Sequence, residues 1–150
     1  MQAITYLFFP NGDCEQAFER YREVLGGTIT ARIRARGTPA EPYMPPDWAD
    51  KLLHACLDLG ETQLMGSDSP PACSEAPQGF AVQLTATSPE EAERLFTALG
   101  EGGTVRMPMA ETFWARRFGQ LVDRFGTPWM INCPLPLGEG AVACGVEPAM

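Results

Sequence analysis

The 150-residue chain carries a single histidine, His54. An unperturbed imidazole titrates near pH ~6.5, which suits a general base, so His54 is the best candidate for catalytic chemistry. It lies in Lys51-Leu-Leu-His-Ala-Cys-Leu-Asp-Leu59, whose alternation predicts a strand. Leu52, His54, Cys56 and Asp58 fall on one face, and Leu53, Ala55, Leu57 and Leu59 on the other. The second face is uniformly apolar and belongs under a helix, whereas the first is mixed and should line something partly polar. The bland role for His54 is a hydrogen-bonded strand histidine bridging to Tyr6 or Gln83. The sharper one is ligand contact.

A second constellation is Glu111-Thr-Phe-Trp-Ala-Arg-Arg-Phe-Gly119. On an extended segment Phe113, Ala115, Arg117 and Gly119 share one side, with Trp114, Arg116 and Phe118 on the other, so one arginine of the pair points inward. An inward guanidinium can bind a carboxylate or phosphonate in bidentate fashion, or form a structural ion pair with Glu111, Asp123 or Asp68. Trp114 and Trp129 could each form a pocket wall or simply fill the core. Ser67 and Asp68 read as a turn, and nothing in their spacing builds a Ser-His-Asp triad with His54.

The elements that must position these groups occur twice. Asn11-Gly-Asp-Cys-Glu-Gln-Ala-Phe-Glu-Arg-Tyr-Arg-Glu-Val-Leu-Gly-Gly-Thr-Ile29 and Thr87-Ser-Pro-Glu-Glu-Ala-Glu-Arg-Leu-Phe-Thr-Ala-Leu-Gly-Glu-Gly-Gly-Thr-Val105 are both amphipathic helices running into a β-branched strand start. Asp13 with Gln16, and Ser88 with Glu91, have capping-box spacing, and Gly26 and Gly100 supply the left-handed stops. An alternating strand precedes each helix (Ile4–Phe9, Gly79–Ala86) and two or three strands follow. Leu57-Asp-Leu-Gly-Glu-Thr-Gln-Leu-Met65 matches Val122-Asp-Arg-Phe-Gly-Thr-Pro-Trp-Met130. Such a period is too long for a solenoid, so two fused βαβββ modules fit. Residues 35–50 are a Pro-rich loop in which Tyr43, Met44 and Trp48 either cover a cleft or anchor the connection.

This duplicated layout, with Asp13-Cys-Glu-Gln-Ala-Phe-Glu-Arg-Tyr-Arg-Glu-Val-Leu-Gly-Gly27, resembles the glyoxalase/bleomycin-resistance (vicinal oxygen chelate) superfamily. Met65-Gly-Ser-Asp68, Glu111–Gly119 and Asp123-Arg-Phe-Gly-Thr-Pro-Trp-Met-Ile-Asn132 narrow the resemblance to its PhnB-like branch. It implies an α+β fold, two βαβββ modules forming a curled mixed sheet around a cleft, over a single domain of residues 1–133. The modules would span about 2–66 and 79–133, with linker 67–78 and a flexible tail 134–150. Superfamily enzymes place four metal ligands on inward strands, two per module, and the matching positions fall near Tyr6, His54, Ala81 and Met130. A phenol, an imidazole, an alanine and a thioether do not make a site for a hard or borderline divalent cation. Some relatives of the branch carry a methyltransferase label, but the chain has no glycine-rich strand-to-helix turn to hold its cofactor.

Formal charge −8 and the absence of a basic run exclude nucleic acid and anionic membrane surfaces as partners. No apolar run is long enough to span a bilayer, and five cysteines without CxxC spacing point to reduced thiols in the cytoplasm. The expected function is therefore metal- and cofactor-independent small-molecule binding in an aromatic cleft lined by Tyr6, Phe8, His54, Gln83, Trp114, Arg117 and Trp129. Whether the protein is an enzyme stays open. The alternative is a metal-dependent lyase, isomerase or dioxygenase with a non-standard ligand set around His54. The resemblance also implies a homodimer.

Overall fold

The structure is a computed structural model and describes residues 1–136. The chain divides into two compact units, Met1–Gly79 and Phe80–Met150. Most of the tail expected at 134–150 lies outside the described residues.

In the first unit, β1 (Thr5–Phe9) leads into helix α1 (Cys14–Leu25), then β2 (Thr28–Arg34), β3 (Leu52–Asp58) and β4 (Gln63–Asp68). The sheet order is β1-β4-β3-β2, with β1 and β4 parallel and the other pairs antiparallel. Helical spacing in the sequence gives α1 an apolar stripe of Cys14, Ala17, Phe18, Tyr21, Val24 and Leu25, and the structure buries all of it but Leu25. Phe9 and Phe18 meet edge-on at 6.1 Å beneath it. Charged residues on the outer flank of α1 reach edge strand β2, where Glu15 accepts from both Arg34 terminal nitrogens (2.7 and 2.8 Å) and Glu19 pairs with Arg32. Arg36 and Asp50 close the neck of the 35–50 loop with two bonds of 2.6 and 2.9 Å. Within that loop Trp48 and Met44 are half-buried, and Tyr43 is exposed.

Three local expectations change here. The Asp13–Gln16 capping box does not form. The first helical amide, Cys14 N–H, instead donates to Asp68 Oδ1 at 2.9 Å, while Asp68 Oδ2 accepts from Leu52 N–H at 2.8 Å. Ser67 and Asp68 are accordingly not a turn but the end of β4, paired with Phe8 and Phe9 of β1. Finally, Leu52 rather than Leu53 is buried, because a bulge between the Ile33–His54 and Arg34–Leu52 pairs turns the strand over.

The second unit repeats the plan with β5 (Val82–Thr85), α2 (Pro89–Gly100), β6 (Thr104–Ala110), β7 (Ala115–Val122) and β8 (Pro128–Pro134), in the order β5-β8-β7-β6. Here the N-cap half of the capping box forms, Ser88 Oγ accepting from Glu91 N–H at 3.1 Å, while the return bond goes one residue further out. The Glu91 carboxylate reaches back to Thr87 N–H (2.8 Å) and hydroxyl (2.9 Å). Gly100 is the last helical residue and Gly102, not Gly100, takes the left-handed conformation (φ 73°). The duplication extends to close packing. Any side chain at Gly27 would collide with the Asp58 carbonyl, and any at Gly103 with the Val122 carbonyl. The α+β reading with two βαβββ modules therefore holds, each module building its own four-stranded mixed sheet with a helix on one face.

Candidate functional site

Because each helix covers one face of its sheet, strand parity decides which side chains remain on the open face. In the first unit Leu7, Phe9, Ala55, Leu57 and Leu64 are buried. The alternate positions, Tyr6 and Phe8 on β1, Met65 and Ser67 on β4, and His54 and Cys56 on β3, share the other face. Tyr6 and Phe8 are 37% and 52% exposed, unusual for aromatic side chains in the middle of a small domain.

Tyr6 and His54 belong to strands separated by β4, so their backbones lie about 10 Å apart. Their side chains close that span, with Tyr6 Oη 3.1 Å from His54 Nδ1. The two rings stack at 5.8 Å with an interplanar angle of 26°, and Phe8 packs against Tyr6 at 5.2 Å. When the Tyr6 hydroxyl donates to Nδ1, the neutral imidazole carries its proton on Nε2 and offers an N–H donor. This aromatic bridge spans β4, on whose same face Ser67 is only 8% exposed. A Ser-His-Asp triad is ruled out by geometry, since the Nδ1 that an aspartate would hold bonds to Tyr6. The Asp68 carboxylate lies on the helix side, occupied by two backbone amides.

In the second unit the corresponding open positions are Gln83 and Thr85 on β5, Met130 and Asn132 on β8, and Phe118 and Gln120 on β7. Trp114 packs edge-on to Phe118 at 5.4 Å, and the exposed Phe113 packs against Trp114 at 4.8 Å. Arg116 donates to the Pro134 and Thr87 carbonyls.

Two residues expected in the pocket lie elsewhere. Arg117 is opposite the fully buried Cys133 on the helix side of its sheet. It is engaged there by Glu93 of α2, not by Glu111, Asp123 or Asp68. Trp129 is fully buried on that same side. Its indole N–H donates at 2.8 Å to Asp123 Oδ2, while Asp123 Oδ1 accepts from the amides of Phe125 (2.9 Å) and Thr127 (3.0 Å). Trp129 is thus a core residue tied to a turn. Sequence reading placed Cys56 on the face of His54 but missed Met65 and Ser67 as its neighbours. Carrying the alternation of β4 past Gly66 would have found both.

The strand registers relate the two units to each other. Tyr6 pairs with Met65 and, equivalently, Gln83 pairs with Met130. Tyr6, Met65, Gln83 and Met130 thus occupy equivalent positions in the two units, and His54 lies on a different strand from Met65. A phenol, a carboxamide and two thioethers do not fit a hard or borderline divalent cation. Among the described residues, no three or more His, Cys, Asp and Glu side chains come together as a metal site. What the first unit's open face offers is an aromatic surface with one oriented imidazole, and Asp58 at its far end.

Comparison with known proteins supplies the wider setting. Residues 3–131 match the model of the Glyoxalase/Bleomycin resistance protein/Dioxygenase superfamily. Protein YjdN of Escherichia coli is 33% identical over 143 residues, covering 88% of this chain and 95% of YjdN. The crystal structure of protein PA1353 from Pseudomonas aeruginosa is 47% identical with a TM-score of 0.81, covering 89% of this chain and 98% of that one. The PhnB protein from Bacillus cereus shares the fold at 23% identity and a TM-score of 0.73, over 89% and 99% of the two chains.

Proposed function

The chain belongs to the Glyoxalase/Bleomycin resistance protein/Dioxygenase superfamily, as a PhnB-like and YjdN-like member, and from that premise we propose that it binds or sequesters a small molecule without a divalent cation. The observation that carries this reading is the Tyr6–His54 bridge with Phe8 on the uncovered face of the first sheet. Flat rings left in water are a poor use of apolar area unless something stacks on them. The bridge holds Tyr6 and His54 in place before a ligand arrives, which lowers the ordering cost of binding. Gln83 and Trp114 are candidates for a corresponding surface in the second unit. The metal-dependent lyase, isomerase or dioxygenase reading is not favoured, because the donor set at the matched positions is wrong for it.

Among the described residues no helix is long and apolar enough to cross a membrane. A cytoplasmic location and a homodimer are part of the same proposal, the first supported by the cysteine pattern and the second by superfamily membership. The test is a thermal-shift screen of aromatic metabolites and antibiotics on the full chain. A stabilising ligand whose effect is lost in both Tyr6→Ala and His54→Ala is the expected result. A ligand indifferent to both substitutions, or none at all, overturns the reading.

A further inference from the structure

Going beyond small-molecule binding, we infer that the open face of the first sheet holds a site for a soft monovalent d10 cation such as Ag⁺ or Cu⁺, bound between the sulfurs of Cys56 and Met65. The argument starts from register. Cys56 of β3 is the direct antiparallel partner of Met65 of β4, and both belong to the face away from α1. Directly opposed residues of an antiparallel pair have Cβ atoms about 5 Å apart, a spacing a bridging cation closes without moving the backbone. His54 lies two residues before Cys56 on the same face, with its Nδ1 engaged by Tyr6. Tyr6 stands on the other side of Met65 as its partner in β1. The thioether is therefore flanked by a thiol on one strand and a phenol on the other.

The donor chemistry selects the ion. Thiolate, thioether and imidazole are soft or borderline ligands that favour Cu⁺ and Ag⁺, whereas the cations of hydrolytic or isomerising sites need carboxylates and imidazoles. The acidic group on this face, Asp58, sits two residues beyond Cys56, and its Oδ1 accepts from the Gly60 amide. Exposure fits as well. Cys56 is 5% exposed and Met65 half-buried, so an ion entering past the flexible methionine would be screened from water once bound. Binding exchanges the Cys56 S–H proton for the cation and releases that proton to solvent; no oxidant or reductant takes part. Cys14 and Cys133, fully buried on the helix sides of their sheets, have no such access.

The experiment uses the full chain with Cys73→Ser and Cys144→Ser, which removes the exposed thiol and the one outside the described residues. Redox-inert Ag⁺ is titrated in while the methionine ε-methyl carbons are followed by ¹³C NMR, Met65 being assigned with Met65→Leu. The expected result is one tightly held Ag⁺, a shift of the Met65 methyl signal, and loss of the bound ion in both Met65→Leu and Cys56→Ser. Met65→Leu nearly conserves volume, so it remains informative if Cys56→Ser perturbs folding. Absence of bound Ag⁺, or retention unchanged in Met65→Leu, overturns the site. Organic-ligand binding is read without Ag⁺, so either proposal can fail alone.

Discussion

Tyr6 and His54 stand on strands that are not neighbours, yet the phenol oxygen and the imidazole Nδ1 lie 3.1 Å apart above the strand between them. A donor hydroxyl there selects one tautomer. Because the chain has a single histidine, ¹⁵N NMR of the ring reports on this bond without overlap. The neutral ring is expected to carry its proton on Nε2 in the native protein. In Tyr6→Phe it should become a mixture of tautomers, with a stability loss below about 1 kcal/mol because both groups can turn to water. An unchanged ¹⁵N pattern in Tyr6→Phe would show that the contact does not orient the ring.

Asp68 should matter far more to stability. Its two oxygens accept from Cys14 N–H and Leu52 N–H, so one carboxylate caps α1 and holds the start of β3. It is 5% exposed, and its removal leaves two buried amides without an acceptor. Asp68→Ala is expected to cost about 3 kcal/mol or more, read as a lower urea midpoint with unchanged slope. A loss under about 1 kcal/mol would mean water replaces the carboxylate at both amides.

The contrast between these residues and the helices shows what the sequence could reveal. The buried stripes of α1 and α2, the Ser88–Glu91 cap and the βαβββ order rest on neighbours within four residues or on simple alternation, which are visible in one dimension. Ser67 and Asp68 read as a turn in one dimension. What makes Asp68 a strand residue is pairing with β1 and two amides 54 and 16 residues away. The faces occupied by Trp129 and Arg117 were equally hidden. Both lie in strands with large residues on each side, and only the cross-strand register decides which side meets α2. The Tyr6–His54 bridge was legible as one possible contact, and Cys56 as a neighbour of His54 on its face, but the Met65 and Ser67 surroundings were not.

The α2 cap predicts a pH dependence. The amide and then the hydroxyl of Thr87 bond the Glu91 carboxylate and hold its pKa below the ordinary carboxyl range. A lowered folded pKa means the stabilisation is complete above the unfolded value, about 4.3, and is lost as pH falls through the folded value. Wild type should therefore exceed Glu91→Gln in unfolding free energy at neutral pH, with the gap closing on acidification toward pH ~3. A gap that stays constant across that range would assign the effect to helix propensity instead of the charge.

At the other end of the pH scale the controlling group is Cys14. Burial first, and then the charges of Asp68, Asp13 and Glu15, push its thiol far above the usual thiol range, so it stays protonated in the folded protein. Here the sign reverses. A raised folded pKa gives stabilisation fully present below the unfolded thiol value, about 8.5, and lost progressively as pH climbs above it. Wild type is expected to lose more stability than Cys14→Ala between pH ~8 and ~10, because the variant has no thiol to ionise on unfolding. Alkylation gives an independent check. Among the described cysteines the exposed Cys73 should react first, and Cys14 only after global unfolding. Mass mapping that found Cys14 labelled in the native protein at the rate of Cys73 would mean that the N-terminal turn of α1 opens locally, and would remove the basis for the alkaline prediction.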